Sequence, residues 1–277
     1  MTTFALDTLP LDDPDGRYRI EKSTSLPRLS IQENQLITAP FMDGALAVRG
    51  ATPTRPFALS MWIPNHAGMS HDVVIDMASF LGLAFSQAKT LRMIPEKGEA
   101  RIARILAVRA SDTVMTRSRH GATIVFDLDL APYWQSEAVY LSAQTDATPS
   151  TVIPNFDGIT GPALDAVFRL TGRFASATIT DPQTGSWLTA SKPLESSDYL
   201  FVDAATGRTW RSPALSAWEP PQKTDLAKFG PGGIPKFWPT LNPSPDQYSP
   251  LTSLVVKIST TNGTAPKLVI RGHKWYI

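Results

Sequence analysis

The chain has 277 residues, enough for two modest domains or one large all-β domain with an adequate core. It contains no cysteine, which excludes disulfides, thiolate metal sites and thiol nucleophiles. Lysine and arginine number 26 against 25 acidic residues, a balance that argues against a dedicated nucleic-acid-binding protein, which normally carries a basic excess.

The N-terminal residues have neither the basic start nor the apolar run of a secretion signal. No stretch approaches the ~20 apolar residues of a membrane span, so we expect a soluble product made and kept in the cytosol. The first turn is predicted at Asp13-Pro14-Asp15-Gly16. Its acids could suggest calcium, but the spaced oxygen ligands and terminal Glu of an EF-hand loop are missing.

Residues 27–55 predict a long hairpin with a loose tip near residues 35–44. An ordinary pair of strands in a barrel fits the same pattern. The next strand ends at Pro64 and places alternate apolar side chains on one face. The apolar positions of the hairpin and of this strand are Leu29, Ile31, Leu36, Ile37, Phe41, Leu46 and Val48, then Phe57, Leu59, Met61 and Ile63.

One helix is predicted, from Asp72 to Gln87, with Ser70 as its N-cap. Spacings of three and four residues give it a broad apolar stripe, so we expect it to cover one side of the N-terminal sheet. The stripe is composed of Val73, Met77, Phe80, Leu81, Ala84 and Phe85.

Strands follow on both sides of a turn at residues 95–98, and this region holds the main charge asymmetry of the chain. Between Lys89 and Arg119 there are eight basic residues and three acids. Such an excess is typical of solvated strand faces, but it also suits electrostatic docking onto another subunit or an acidic partner. The candidate contact residues are Arg101, Arg104, Arg109, Arg117 and Arg119.

The stretch from Val167 to Arg211 predicts an antiparallel meander. Alternating apolar residues indicate strands, and Asp181-Pro-Gln-Thr-Gly185 and the Thr-Gly of residues 206–207 are typical of chain reversals. Residues 212–242 are rich in Pro and Gly, and loops of this length are usually functional or mobile. Near the end, Asn262-Gly263 predicts a hairpin joining Leu254–Ser259 to Lys267–Ile270.

The order of these pieces resembles the C-terminal domain of the distal tail proteins of long-tailed, non-contractile phages (siphoviruses). Phe237-Trp238-Pro239-Thr240-Leu241-Asn242-Pro243 is similar to that family's Trp-x-x-Leu-x-Pro approach to its last strands. The resemblance implies an N-terminal ring-forming (belt) domain over residues 1–137, a β-barrel or sandwich with one covering helix and an extended arm hairpin. It implies a galectin-like β-sandwich over residues 138–277.

By the same resemblance, the protein would be a structural virion component that forms a hexameric ring between the tail tube and the tail-tip or baseplate complex. Its partners would be further copies of itself, the tail tube protein, the tail-tip hub or other minor tail proteins, and the tape measure protein. It would reside at the tail tip after assembly in the host cytoplasm. The arm near Leu29–Val48 and the basic strands near Arg101–Arg119 are the candidate ring contacts.

Two alternatives remain open. A carbohydrate-binding sandwich could recognise a host surface glycan through Trp187, Trp210, Trp218 and Trp238. A hydrolase could use Asp127 and Asp129, which share a strand face. The sequence lacks Gly-x-Ser-x-Gly, His-Glu-x-x-His and a phosphate-binding loop, and only His66 and His71 approach ligand spacing. We therefore expect no enzyme activity, cofactor or metal.

Overall fold

The structure is a computed structural model. The chain forms two compact units: the first contains Met1–Glu137 and Ile277, and the second contains Ala138–Tyr276. Both are mainly β, and one helix occurs among the described residues, so the predicted mainly β fold is confirmed. The described residues are 2–21, 24, 34–37, 46–49, 52–65, 71–110, 116–118, 121–146, 150–195, 197–230, 235–242, 251–263 and 266–277.

The first unit is organised around three long antiparallel strands, β6 (Arg55–Pro64), β8 (Arg101–Ala110) and β10 (Gly121–Leu130). In β6 the predicted alternation is confirmed, because Phe57, Leu59, Met61 and Ile63 are buried and face the apolar side chains of β10. Shorter strands extend the sheet on either side. The strands of this unit are β1 (Thr3–Leu6), β2 (Leu9–Pro10), β3 (Arg19–Ile20), β4 (Asn34–Ile37), β5 (Leu46–Arg49), β6 (Arg55–Pro64), β7 (Thr90–Ile94), β8 (Arg101–Ala110), β9 (Thr116–Ser118), β10 (Gly121–Leu130) and the start of β11 (Trp134–Leu141).

The helix α1 (His71–Gln87) lies against β6, β8 and β10, as the sequence predicts. Its buried stripe differs from the predicted one. Val74, Leu81 and Phe85 face the sheet, and Phe85 stacks on Phe126 with ring centroids 3.8 Å apart. Val73 and Phe80, predicted to be buried, are exposed, because the helix is rotated toward the Val74 side of its apolar stripe. The predicted N-cap Ser70 lies outside the described residues.

A β-bulge interrupts the pairing of β8 with β10 at Leu106. Asp129 lies opposite Ala107, but Leu130 lies opposite Ile105, so Leu106 has no partner across the ladder. A bulge bends its strand and redirects the side chains that follow it. Leu106 is 49% exposed.

The two strands of the predicted arm hairpin are present as β4 and β5. Strands β4 and β5 pair antiparallel with each other, with Leu36 opposite Ala47, and form a sheet of two strands. Within the part of the chain that the structure describes, neither strand pairs with the larger sheets. Leu29, Ile31 and Phe41 lie outside the described residues.

The second unit is a β-sandwich. One sheet, here the front sheet, has the order β19–β18–β17–β14–β23–β11, and the back sheet has the order β13–β22–β15–β16–β20. Their facing side chains form one buried core, including Phe168, Ile270 and Val256. The remaining strands are β12 (Thr145–Asp146), β13 (Ser150–Val152), β14 (Val167–Thr171), β15 (Ser176–Thr180), β16 (Trp187–Ala190), β17 (Tyr199–Asp203), β18 (Arg208–Ser212), β19 (Asp225–Leu226), β20 (Lys228–Gly230), β21 (Pro239–Asn242), β22 (Leu251–Thr261) and β23 (Lys267–Tyr276).

Two hairpins of this unit use the same turn, Asp-x-x-Thr-Gly, at residues 181–185 and 203–207. In each turn the aspartate accepts hydrogen bonds from the backbone N–H two residues on and from the threonine hydroxyl. The glycine then adopts a φ of 71°, a left-handed conformation that glycine adopts without strain. The predicted reversals after β15 and β17 are therefore confirmed. The predicted single meander is wrong, because β14, β17 and β18 belong to the front sheet whereas β15 and β16 belong to the back sheet.

The predicted final hairpin is wrong. Strands β22 and β23 flank Asn262-Gly263 but belong to different sheets: β22 pairs with β13, β15 and β21, and β23 pairs with β14 and β12. No described residue of β22 pairs with β23. Gly263 is needed for a different reason, because a Cβ there would lie 1.9 Å from the carbonyl oxygen of Arg173.

The Pro-rich stretch at residues 212–242 is more regular than its composition suggests. It contains the three short strands β19, β20 and β21. These strands pair with β18, β16 and β22 respectively. The long loop predicted from the sequence is thus divided into shorter connections, and the first of them contributes to the site described below.

Candidate functional site

The arginines predicted as contacts differ in their surroundings. Arg104 is exposed and has no ion pair among the described residues. Arg109 is also exposed, but it donates to the Asp129 carboxylate at 2.5 Å, so its charge is already partly compensated. This ion pair gives Asp129 a structural role on the outer strand face. Arg101 is half-buried on β8, the side chain of Arg117 in β9 is not described, and Arg119 lies outside the described residues.

The first unit also exposes an apolar surface that the sequence analysis missed. Val73, Phe80 and Leu83 lie along one side of α1 and are 39–56% exposed. A groove of about 430 Å³ lies between the second half of α1 and β8, with Leu106 and Gly82 in its walls. Exposed apolar residues that cluster are typical of protein–protein contact surfaces. We call the helix side and this groove the α1 surface.

In the second unit, the outer face of the front sheet carries an aromatic cluster. Trp210 stacks on Phe201 with ring centroids 5.4 Å apart, and Trp218 meets Phe201 edge to face at 5.5 Å. The guanidinium of Arg169 lies 5.0 Å from the centroid of Trp218 and 5.4 Å from that of Tyr199, within the range of cation–π attraction.

Residues 213–221, here the covering segment, lie over this cluster. Arg169 Nη1 donates to the Leu215 carbonyl at 2.6 Å, and Trp210 Nε1 donates to the Ala217 carbonyl at 2.8 Å. Burial lowers the pKa of Arg169, but a guanidinium remains charged at any ordinary pH. The segment is therefore held by one buried cation and one indole.

A pocket of about 270 Å³ opens beside the covering segment, on the same outer face. Its lining mixes apolar side chains with ionisable groups from β17, β23 and the covering segment. We call it the outer pocket. Its apolar lining includes Val139, Val167, Trp218 and Pro220, and its polar lining is formed by Asp165, Asp203, Glu219, Arg271 and His273.

Asp165 fixes the orientation of two β23 side chains at the base of the outer pocket. Its carboxylate meets His273 Nδ1 at 2.5 Å and accepts from Trp275 Nε1 at 2.7 Å. Burial alone would raise the pKa of the Asp165 carboxyl, but these hydrogen bonds outweigh burial and lower the pKa below its ordinary value. An ionised carboxylate only accepts hydrogen bonds, so Nδ1 of His273 is the donor in this contact.

The four tryptophans predicted as a glycan surface do not come together. Trp210 and Trp218 both line the outer pocket, but Trp210 is 3% exposed and has no free ring face for stacking. Trp187 lies on β16 in the other sheet, where its ring packs against Gly230. Trp238 is half-buried beside β21. Trp218 is half-buried and lines the outer pocket together with Glu219 and Arg271.

The described residues contain no group of three His, Asp or Glu side chains placed to hold a metal ion. Across the same residues, no helix has the length and hydropathy needed to cross a lipid bilayer. Of the His66–His71 pair, His66 lies outside the described residues and the His71 side chain is not described.

Among solved structures, the fold is that of phage tail hub proteins. The Dit protein of phage SPP1, described as a paradigm of the hub adsorption apparatus of phages that infect Gram-positive bacteria, aligns over 100% of both chains with 12% identity and a TM-score of 0.50. Two structures of the activated phage P2 baseplate, with Ca and with Sr, align over 98% of each chain at 10% and 11% identity, with TM-scores of 0.30. Neither a protein-family model nor a curated protein matches the chain. The predicted resemblance to distal tail proteins is confirmed at the level of the fold.

Proposed function

We propose that this chain is a distal tail protein, a structural virion component that forms a hexameric ring at the end of the tail tube. The observation that carries the proposal is the fold match to SPP1 Dit, which covers the whole of both chains. In this role the chain contacts copies of itself, the tail tube protein and tail-tip or other minor tail proteins, including the tape measure protein. It is assembled into the virion in the host cytoplasm.

Residues 1–137 are the ring-forming domain in this proposal. Head-to-tail closure of a ring requires two different complementary patches on each subunit. The first patch is the arm of β4 and β5, whose two strands pair only with each other among the described residues. Leu36 lies on this arm, and Leu29, Ile31 and Phe41 extend the same sequence region.

The second patch is the α1 surface of the neighbouring copy. It offers apolar side chains at Leu83 and Leu106, and the exposed Arg104 lies on the same strand as Leu106. An apolar centre with charged residues at its rim is typical of protein interfaces. Arg101, Arg109, Arg117 and Arg119 then contribute to the field that orients the approaching subunit or tube protein.

Two measurements test whether the protein forms a hexameric ring: the mass of the purified protein in solution and its appearance in electron microscopy. Size-exclusion chromatography with light scattering is expected to give six times 30.2 kDa, about 181 kDa, and class averages are expected to show a six-fold ring. Gold-labelled antibodies against the chain should bind at the tail tips of intact virions. A monomer in solution together with virions that carry no label at the tip would contradict the proposal.

A further inference from the structure

Asn262 and Gly263 do not form the predicted hairpin but lie in the connection from β22 to β23. Asn262 directly follows Thr261, the last residue of β22, and has a φ of 52°. Both Asn262 and Gly263 are exposed. Asparagine followed by glycine is the dipeptide in which the backbone attacks the side chain most readily, because glycine has no Cβ to hinder ring closure. The pair is therefore a candidate site of covalent self-modification.

The reaction needs only these two residues and water. The backbone nitrogen of Gly263 loses its proton and bonds to Cγ of Asn262. The bond between Cγ and Nδ2 then breaks, ammonia leaves, and a cyclic succinimide forms. Water opens this ring at either carbonyl, which gives aspartate with the normal backbone or isoaspartate, whose backbone runs through the side chain. No oxidant, reductant or cofactor takes part.

The fold leaves the attacking nitrogen of Gly263 free. Within the part of the chain that the structure describes, the Gly263 N–H donates no hydrogen bond. The glycines of two described Asp-Gly pairs differ, since the Gly16 N–H donates to the Asp13 carbonyl at 2.9 Å and the Gly158 N–H donates to the Thr252 carbonyl at 3.0 Å. A bonded N–H must first break its hydrogen bond before the nitrogen can turn toward the side chain. Gly263 needs no such step.

The Asn262 side chain is free as well, since it makes no hydrogen bond to any described residue. Asn155 offers a comparison, because it has a similar left-handed backbone with a φ of 66°. Asn155 Nδ2 donates to the Leu141 carbonyl at 3.0 Å, and the N–H of Phe156 donates to the Ile153 carbonyl at 3.4 Å. Both reacting groups are thus held at Asn155, and neither is held at Asn262.

The products change the connection between the two sheets in charge and in length. One new carboxylate lowers the formal net charge of the chain from +1 to 0. Isoaspartate also adds one atom to the backbone just before Gly263. A Cβ at Gly263 would lie 1.9 Å from the Arg173 carbonyl oxygen and 2.6 Å from Phe174 Cα, so Gly263 has no room to move on this side. The longer backbone is therefore expected to loosen this contact.

We propose that Asn262 is a self-modification site, at which the folded chain converts its own side chain through a succinimide to aspartate and isoaspartate. Because ammonia leaves, the step does not reverse, and the modified fraction grows with the age of the protein. This property goes beyond a structural role in the tail and is independent of ring formation.

Incubation of the full chain at mildly alkaline pH, in water enriched in the heavy oxygen isotope, tests the proposal. Ring opening adds one oxygen atom from the solvent to residue 262, and peptide mass spectrometry detects it there. The label distinguishes the reaction from any deamidation that preceded the incubation. We expect label at residue 262 in the folded chain and none at Asn155.

The matched control is the Asp157→Asn variant, which creates a second exposed asparagine–glycine pair whose N–H is held by the Thr252 carbonyl. In this folded variant, residue 262 should be labelled about tenfold faster than residue 157, because an ordinary hydrogen bond must break before residue 157 can react. In concentrated urea the two rates should become equal, since both pairs then have the same chemistry.

Circular dichroism verifies that the Asp157→Asn variant is folded. Three results would each overturn the proposal: no label at residue 262 in the folded chain, equal labelling of residues 157 and 262 in the folded variant, or a difference in rate that persists in urea. The last result would show that the fold is not the cause of the difference.

Discussion

Asp181 and Asp203 occupy equivalent positions in two matching turns, yet they differ in exposure. Asp181 is fully buried, whereas Asp203 is in contact with solvent. Each accepts one backbone and one hydroxyl hydrogen bond within its turn. When a buried acceptor is lost, its donors cannot turn to water, and this difference decides what each aspartate contributes to stability.

We predict that Asp181→Ala lowers the free energy of unfolding by about 1–3 kcal/mol, because it leaves buried donors without a partner. Asp203→Ala should cost less, about 0.5–1.5 kcal/mol, because water can reach the same donors there. Urea denaturation of both variants beside the parent chain measures the difference. Equal losses of unfolding free energy in the two variants would show that burial of the turn does not determine how much its aspartate contributes to stability.

Asp165 gives the second unit an acid-sensitive contribution to stability. Its pKa is lowered in the folded chain, so its stabilising effect is fully present above the ordinary carboxyl pKa of ~4 and is lost as pH falls through the folded pKa. We predict that Asp165→Asn is less stable than the parent at pH 7 and that the difference narrows at pH 3. Denaturant midpoints at both pH values provide the measurement.

The control for this pH dependence is Asp157→Asn, since the Asp157 side chain is 80% exposed. That variant should follow the parent at both pH values. If Asp165→Asn kept a constant difference from the parent between pH 7 and pH 3, the carboxylate would not be the titrating group.

At the scale of single elements, local sequence patterns predicted strands and turns correctly, but they did not predict which distant strands pair with each other. The alternation in β6 and the paired Asp-x-x-Thr-Gly turns are visible in the sequence because their causes lie within a few residues. Nothing local distinguishes a hairpin at Asn262-Gly263 from a crossing between sheets, since the outcome depends on which distant strands pair with β22. The rotation of α1 likewise depends on the sheet beneath it.

The outer pocket shows the same limit for the residues that line it. Trp218 was recognisable as a candidate from its type. Asp165, Glu219 and Arg271 were not, because polar residues that alternate along an outer strand face or follow a proline-rich loop look like ordinary solvent-exposed positions. Only the pairing of β14 with β23, together with the path of the covering segment, brings them together.

Arg169 should control the order of the covering segment. We predict that Arg169→Met leaves the sandwich folded but increases hydrogen exchange in residues 213–221, because it removes the bond to the Leu215 carbonyl and the cation–π contacts. Arg211→Met is the control, since Arg211 donates to the Pro193 carbonyl away from this segment. Unchanged exchange in the segment would show that other contacts hold it.

At the scale of the whole molecule, the proposed ring depends on apolar residues that α1 leaves exposed. We predict that Leu83→Glu converts the ring to smaller species in light scattering without lowering the melting temperature, because glutamate is a good helix former and Leu83 is 56% exposed. Leu226→Glu, in the second unit and 72% exposed, should leave the mass unchanged. A full-size ring from the Leu83 variant would place the contact elsewhere.

The short strands at the borders of the sandwich have a consequence for crowded assemblies. The front sheet ends on β19, with two residues, and the back sheet ends on β20, with three. Long open borders act as templates on which foreign chains add strands and grow into fibres, whereas borders this short offer too few hydrogen bonds to hold one. The described parts of these two borders therefore offer little template for amyloid-like growth when many copies are crowded together.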